Sequence, residues 1–316
     1  MKFTSLAIAA ASLLFLSTSS FAADPPTTDW SMETVIVTAQ SPGPAFWRLS
    51  KGNSEIWILG MIGPMPTKLI WNANRLSEIV DGAHEVLTPA QASANIFEVG
   101  WFLLWNRSVL SNPGGKKLEE SLPPELKARF VAARSLAKRD ADRYEDDPPV
   151  VAAMKLENDF NQAAGLTQNA LDQVAKIARA KHVKLRNIAD YGAMAMVKEF
   201  LRLPAAAQQS CLENAVADIE TRAVHAVPAS EAWALGDLKG IKAHYSPPNV
   251  EKCAKLTASF SRFYDRSVAD SLAAIDQALS EPGKTVMVVD IGALLRNTGV
   301  AEKLKAKGIT IEGPAE

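Results

Sequence analysis

Apolar residues form short β-prone runs at both ends of the chain and helical patterns between them. Residues 45–50 and 55–59 are two such runs, and the Gly52-Asn53 pair between them is typical of a hairpin turn. Residues 285–289 form a continuous apolar run rich in β-branched side chains, which is typical of a strand buried on both faces. The pattern predicts a sheet that draws strands from both ends of the chain.

The residues between these runs carry mainly helical patterns that are separated by prolines. Residues 99–105 are apolar almost all round, which predicts a buried helix. The fold class that we predict is therefore α/β, with a mixed central β-sheet built from N- and C-terminal segments and an extended helical middle. Further helices are expected at about 72–80, 124–138, 150–163, 192–201, 205–225, 249–279 and 300–307, and short strands at 85–87, 184–188 and 309–311.

The first 22 residues have the pattern of a secretory signal peptide. Lys2 precedes an apolar run at 6–16, and small residues allow cleavage after Ala22. The run is much shorter than the roughly 20 residues that a membrane span needs. We expect a periplasmic or secreted chain with no transmembrane span after cleavage. An N-terminal membrane anchor is the alternative.

Residues 23–44 are rich in Pro, Thr, Ser and Asp, which predicts a flexible segment ahead of a folded domain at 45–314. Within this segment, residues 33–40 resemble the TonB box of outer-membrane receptors. One interpretation is a β-prone linker. The other is a transport or assembly accessory that adds this segment as a strand to a partner in the envelope.

The composition bears on the partners of the protein and on disulfide formation. Because 34 basic residues balance 35 acidic ones, the overall charge favours neither nucleic acid nor an anionic membrane as a partner. Cys211 and Cys253 are the two cysteines. In an oxidising compartment they predict one disulfide, with two buried thiols as the alternative, and they lack the spacing of a redox pair.

Several segments together resemble the TraB/GumN family over about 45–314. Residues 45–49 and 56–60 are similar to that family's opening strands, and Gly60 to its first motif glycine. Residues 232–237 are similar to its segment with a Trp and a Gly-Asp pair, and 264–267 to a helix with Arg and Asn. Residues 283–299 are similar to its last strand and second motif.

The resemblance implies a site made of two Gly-x-x-His motifs and a Glu. Such a set holds a metal that activates water, as in the related TIKI metallopeptidases. In this sequence the histidine positions hold Gly63 and Ala293, the Glu position holds Pro89, and Asp290 stands at the second glycine position. We therefore expect no metal, no cofactor and no catalytic residue. The resulting hypothesis is a non-catalytic protein that binds an envelope peptide, glycan or protein.

Other residues leave an active hydrolase open as an alternative. Asp290, His84 and Glu85 are candidate replacement ligands for a rearranged metal site. Arg266, Asp290 and Arg296 are the polar residues that we expect near the cleft, and solvated charges at helix ends are their alternative interpretation. The remaining histidines, His182, His225 and His244, show no metal-binding spacing.

Two other types of catalytic site have no support in the sequence. Residues 283–285 read Gly-Lys-Thr, but they precede a strand and do not open a helix as a phosphate-binding loop does. The sequence also lacks the Gly-x-Ser-x-Gly motif of serine hydrolases.

Overall fold

The central sheet has seven strands that come from both ends of the chain. The computed structural model describes residues 36–38, 43–112, 115–167, 169–296 and 299–314. The strands are β1 (Ile36–Thr38), β2 (Phe46–Lys51), β3 (Ser54–Met61), β4 (Met65–Pro66), β5 (Glu85–Thr88), β6 (Gln91–Ser93), β7 (Leu166–Thr167), β8 (Lys184–Asn187), β9 (Asp190–Gly192), β10 (Gly283–Asp290) and β11 (Ile311–Pro314).

The order of strands in this sheet is β1-β11-β2-β3-β10-β5-β8. Strand β2 is antiparallel to β3 and β11, whereas the other neighbouring pairs are parallel. Residues 286–289 of β10 are buried, because β10 has a strand on each side and helices over its faces. The predicted α/β class, with a mixed sheet from both ends, is confirmed.

Helices fill the middle of the chain and flank the sheet. Short 3₁₀ turns lie at Arg107–Leu110 and Ala141–Tyr144. The α-helices are α1 (Asn74–Val80), α2 (Ile96–Trp105), α3 (Leu118–Ser121), α4 (Pro124–Leu136), α5 (Pro149–Ala164), α6 (Asn169–Ala180), α7 (Met194–Leu201), α8 (Ala205–Leu235), α9 (Leu238–His244), α10 (Val250–Ala254), α11 (Ala258–Ser280), α12 (Ile291–Leu295) and α13 (Val300–Ala306).

Two large apolar clusters hold the fold together. The first surrounds the sheet and includes the fully buried Trp47 and Trp233. The second joins α3, α4, α5 and α8 through residues such as Phe130 and Leu212. Helix α8 contributes to both clusters, and it therefore connects the helical middle to the sheet.

A buried carboxylate stabilises the second cluster. The Asp159 side chain is 2% exposed and accepts hydrogen bonds from Arg143 Nε at 2.9 Å, Tyr144 Oη at 2.9 Å and Arg139 Nη2 at 3.1 Å. Burial opposes ionisation, but these donors outweigh it and lower the pKa of Asp159. The charge is therefore retained inside the helical layer.

The predicted disulfide is present between Cys211 in α8 and Cys253 in α10. Their Cα atoms are 5.0 Å apart and 42 residues separate them along the chain. Both residues are fully buried in a small apolar cluster. The bridge fixes the start of α8 to the segment that precedes α11.

Three helix predictions were wrong in detail. The helix predicted at 205–225 continues through Pro228 to Leu235 as α8. The helix predicted at 249–279 is divided into α10 and α11, because Thr257 caps the second helix by accepting a hydrogen bond from Phe260 N–H. The helix at 99–105 was predicted to be buried. In the structure Phe102 is buried, whereas Trp101 and Trp105 are 65% and 70% exposed.

The proposed export segments are only partly described. The predicted signal peptide at 1–22 lies outside the described residues, as does most of 23–44. Within the segment 33–40, residues Ile36–Thr38 pair in parallel with Glu312–Pro314 of β11. No helix in the described ranges is both long and apolar enough to cross a membrane.

Candidate functional site

Three adjacent parallel strands, β3, β10 and β5, end at one edge of the sheet. Asp290 ends β10 and pairs in register with Met61, which ends β3. Gly63, Pro89 and Ala293 follow the ends of β3, β5 and β10 closely in sequence. The positions predicted from the sequence therefore lie at the carboxyl edge of the sheet, which is the edge where open α/β sheets bind ligands.

Gly60 is required by close packing. A Cβ atom on this residue would lie 2.6 Å from Trp47 Cζ3 and 3.2 Å from Ile291 Cγ1. The Gly60 carbonyl accepts a buried hydrogen bond of 2.7 Å from Trp233 Nε1. These contacts place the end of β3 against β2, α8 and α12, and so define one wall of the site.

Asp290 lies at the C-terminal end of β10, next to a small cleft that is lined by Gly63 and Tyr245. Its Oδ1 accepts a hydrogen bond of 2.9 Å from Ala293 N, which caps α12, and its Oδ2 accepts one of 3.1 Å from Tyr245 Oη. The residue is exposed to solvent, yet protein surrounds its carboxyl group. Desolvation by this surrounding protein raises the pKa of Asp290, and the two hydrogen bonds only partly oppose the effect.

Arg296 completes a polar network beside Asp290. Its Nε donates to the Gly292 carbonyl at 3.0 Å, and its Nη1 donates to Tyr264 Oη at 3.0 Å and lies 3.4 Å from Glu251 Oε2. Burial has the largest single effect and would lower the pKa of Arg296, but Glu251, Tyr264 and Asp290 together outweigh it and the pKa is raised. The cleft therefore presents a fixed guanidinium next to an acidic group.

The third predicted cleft residue, Arg266, belongs to a different group of contacts. Its side chain is 72% exposed, its Nε lies 3.8 Å from Asp270 Oδ2, and its guanidinium stacks 5.2 Å from the centroid of the Tyr191 ring. Tyr191 also donates a short hydrogen bond to Asp270, and burial with this bond raises the pKa of Tyr191 to about 12. The structure thus brings Asp290 and Arg296 together and places Arg266 in this separate cluster.

A histidine pair that the sequence interpretation did not assign lies beside Gly63. His225 Nδ1 and His244 Nδ1 are 3.1 Å apart, close enough for one ring to donate to the other. Together with Gly63, Tyr245 and other residues they line a small cavity of about 40 Å³. Burial and the neighbouring His244 lower the pKa of His225, which favours the neutral pair.

The histidine pair has no signature in local spacing, because its members are on different helices. Helix α8 ends at Leu235 with Gly236 in the left-handed conformation, and α9 then runs back along α8. This turn brings residues 225 and 244 together. A helical hairpin centred on Gly236-Asp237 is the one sequence feature from which the pairing could have been predicted.

The candidate replacement ligands His84 and Glu85 lie at the other end of the strands, where β5 begins. Glu85 opens β5 and pairs in register with Thr285, five residues before Asp290 on β10, which corresponds to roughly 16 Å along a strand. The Glu85 carboxylate accepts hydrogen bonds of 2.7 and 2.9 Å from Arg186. A site that combines Asp290 with His84 or Glu85 is therefore not formed.

The side chains at the carboxyl edge do not fit the metal that the resemblance implies. Gly63, Pro89 and Ala293 carry no side-chain nitrogen, oxygen or sulfur, and the Asp290 carboxylate is already engaged by Ala293 and Tyr245. Over the described part of the chain, no three His, Cys, Asp or Glu side chains are grouped so as to hold a metal ion.

Comparison with known proteins gives one match. The model of the TraB/PrgY/gumN family matches residues 45–313, which is nearly the whole chain. No curated protein and no solved structure is significantly similar to the chain.

Proposed function

Because the chain belongs to the TraB/PrgY/gumN family, we propose that it is a non-catalytic binding protein of the bacterial envelope. Its ligand is a peptide, a glycan or a segment of an envelope protein, held at the carboxyl edge of the sheet. The observation that carries this proposal is the polar set around Asp290, which occupies the edge where the resemblance implies metal-binding side chains.

The residues of the cleft are suited to recognition. Asp290 offers a carboxyl group that Tyr245 and Ala293 hold in place, and Arg296 offers a guanidinium that Glu251 and Tyr264 hold in place. Tyr264 is partly exposed and supplies a ring face and a hydroxyl group, whereas the buried Tyr245 holds the Asp290 carboxyl group in place. Because these groups are already hydrogen-bonded to each other, little ordering is needed when a polar ligand binds.

The envelope location rests on two features of the sequence that agree with each other. The pattern of residues 1–22 predicts export, and a disulfide such as Cys211–Cys253 persists in an oxidising compartment. A test is to express the chain with these residues and to determine the N-terminus of the protein recovered outside the cytoplasm. We expect it to begin at Ala23.

Ligand binding is tested with glycan and peptide arrays, followed by calorimetry on the ligands that bind. Arg296→Met should weaken binding by about tenfold or more, because a charge-assisted hydrogen bond is lost. Arg266→Met is the matched control, since Arg266 lies in the separate Tyr191 cluster, and it should leave the affinity unchanged. Equal losses in the two variants would place the ligand elsewhere.

A metal-dependent hydrolase with rearranged ligands is a second candidate, and one observation favours it. The two Nδ1 atoms of His225 and His244 are 3.1 Å apart, whereas two nitrogen ligands of a tetrahedral zinc ion lie about 3.3 Å apart. The pair also lies next to Gly63 at the same edge of the sheet. The metal content of the purified protein distinguishes the two candidates, because the hydrolase requires one bound ion per chain and the binding protein requires none.

A third candidate is an envelope accessory that acts through residues 33–40. It is favoured by the position of Ile36–Thr38, which form the edge strand β1 of the sheet. An edge strand is the kind of segment to which a partner adds a strand. If the chain is an envelope accessory, deletion of residues 33–40 should abolish capture of its partner. If it is a binding protein, the same deletion should leave ligand binding at Asp290 intact.

A further inference from the structure

Helix α2 is a surface helix composed almost entirely of apolar residues. Glu98 is its single charged residue, and Asn95 caps it by accepting a hydrogen bond of 2.8 Å from Phe97 N. Five of its ten residues are large, apolar and well exposed. These residues and their exposed fractions are Ile96 78%, Phe97 82%, Trp101 65%, Leu104 50% and Trp105 70%.

Four of these side chains form one continuous stripe. Phe97, Trp101, Leu104 and Trp105 are spaced at i, i+4, i+7 and i+8, so they project from one side of the helix. The Trp101 and Trp105 ring centroids are 5.7 Å apart. Exposed apolar residues are normal when scattered, but a contiguous patch of this kind marks an interaction surface.

The opposite side of α2 packs against the protein through one buried residue and borders an apolar groove. Phe102 is buried, while Val99 and Leu103 line an apolar groove of about 450 Å³ together with Phe200 and Phe260. The helix is therefore apolar on both its inner and its outer side. Its exposed stripe remains outward because the inner side is already anchored by Phe102.

Cations border the stripe. The exposed Lys198 lines a surface pocket together with Trp101 and Trp105. The exposed Arg202 donates a hydrogen bond of 3.1 Å from Nη2 to Oδ1 of Asn106, the residue directly after Trp105. Arg107 is exposed in the turn that follows the helix. Tryptophans and other large apolar side chains with basic residues beside them are the composition of a helix that lies in the interface of an anionic bilayer.

The acidic groups nearby do not reverse this charge. Glu98 lies in the first turn of α2, where it complements the helix dipole. Glu199 on α7 accepts hydrogen bonds from Ser259 N at 2.9 Å and from Ser259 Oγ at 2.6 Å, and these bonds lower the pKa of Glu199. Arg262 Nη2 lies 3.7 Å from Glu199 Oε1 and offsets its charge. The cations Arg107, Lys198 and Arg202 therefore outnumber Glu98 beside the stripe.

We propose that α2 docks the protein on the surface of a bilayer that contains anionic phospholipids. The helix lies in the plane of the headgroups with its stripe buried among them, and Arg107, Lys198 and Arg202 face the lipid phosphates. With ten residues it is too short to cross the bilayer. The proposal does not depend on the ligand of the Asp290 cleft.

The test is flotation of the mature chain with vesicles of phosphatidylcholine alone or mixed with phosphatidylglycerol. We expect binding to the mixed vesicles that falls as salt is added, and much weaker binding to phosphatidylcholine. Trp101→Ser combined with Trp105→Ser should reduce binding to the mixed vesicles by about tenfold or more, because both anchors are lost.

Leu235→Ser is the matched control. Leu235 is 65% exposed at the end of α8, outside the stripe, so this variant should bind like the unmodified protein. Thermal unfolding of each variant verifies that it is folded. The proposal is overturned if the unmodified protein binds neither vesicle, or if the double variant binds as well as Leu235→Ser. It is also overturned if sedimentation shows a dimer that the double variant loses, because a second copy would then cover the stripe.

Discussion

Trp233 joins the functional edge of the sheet to the helical middle. Its indole Nε1 donates to the Gly60 carbonyl at 2.7 Å, and its ring packs edge-on against Trp71 at 5.1 Å. The residue is fully buried. The end of β3 therefore keeps its position through one side chain of α8.

Replacing Trp233 with Phe should destabilise the protein by about 1–3 kcal/mol, because the buried Gly60 carbonyl loses its donor. The loss of ring volume adds to this. Urea unfolding at neutral pH measures the change. Trp105→Phe is the control, since Trp105 is 70% exposed and should change the stability little. If the two substitutions cost the same, the bond to Gly60 does not stabilise the fold.

The His225–His244 pair predicts a specific dependence of stability on pH. The pKa of His225 is lowered in the folded protein, so the unfolded chain binds the proton more readily. The contribution of His225 is fully present above the ordinary histidine pKa of about 6.5 and is lost as the pH falls below that value.

This prediction is measured as urea midpoints from pH 8 to pH 5 for the unmodified protein and for His225→Phe. We expect the unmodified protein to lose stability over the lower part of this range, and the variant to lose less. The other carboxyl and histidine groups are shared by both proteins and cancel in the difference. Parallel curves for the two proteins would show that the pKa of His225 is not lowered in the folded protein.

At the scale of elements, the disulfide ties α8 to α10. Because Cys211 and Cys253 are 42 residues apart, closing this loop stabilises the fold by about 4 kcal/mol on the chain-entropy model. Substitution of both cysteines by alanine should therefore lower the unfolding free energy by a few kcal/mol. Adding reductant should lower the unfolding free energy of the unmodified protein by a similar amount. It should not change the unfolding free energy of the double variant. A variant as stable as its parent would contradict this.

The strands were predictable because their signals are local. The run at 285–289 predicted β10, which extends over Gly283–Asp290, and the hairpin signal at residues 52–53 predicted β2 and β3. Each of these three strands has an apolar pattern of period two or a continuous apolar run, and neither depends on distant residues. The short pairs β4–β7 and β6–β9 lack such a pattern and were not predicted.

The burial of α2 was mispredicted for a physical reason. A helix that is apolar all round is normally buried. In α2 only Phe102 is buried, and the stripe of Trp101 and Trp105 faces solvent. Departures from such patterns occur where a surface has a function. The sequence pattern of a buried apolar helix is the same as that of an exposed apolar helix, so it cannot distinguish them.

At the scale of the whole molecule, half of the candidate site followed from the sequence. Asp290 and Arg296 were predicted to lie near the cleft because residues 283–299 resemble the family's last strand and second motif. The His225–His244 pair depends on how α9 packs on α8, which no local spacing encodes. Arg266 was placed in the cleft by its motif, but it lies on α11 with Asp270 and Tyr191.

The central claim is that the family site of this chain binds a ligand without a metal ion. The direct measurement is elemental analysis of the purified mature protein after incubation with manganese, cobalt and zinc and removal of free metal. The same measurement is made on Asp290→Ala and on His225→Ala combined with His244→Ala.

We expect a metal content far below one ion per chain in all three proteins, because Gly63, Pro89 and Ala293 supply no ligand. One tightly held ion per chain that either variant loses would contradict it, and would make the rearranged hydrolase the better description of this protein.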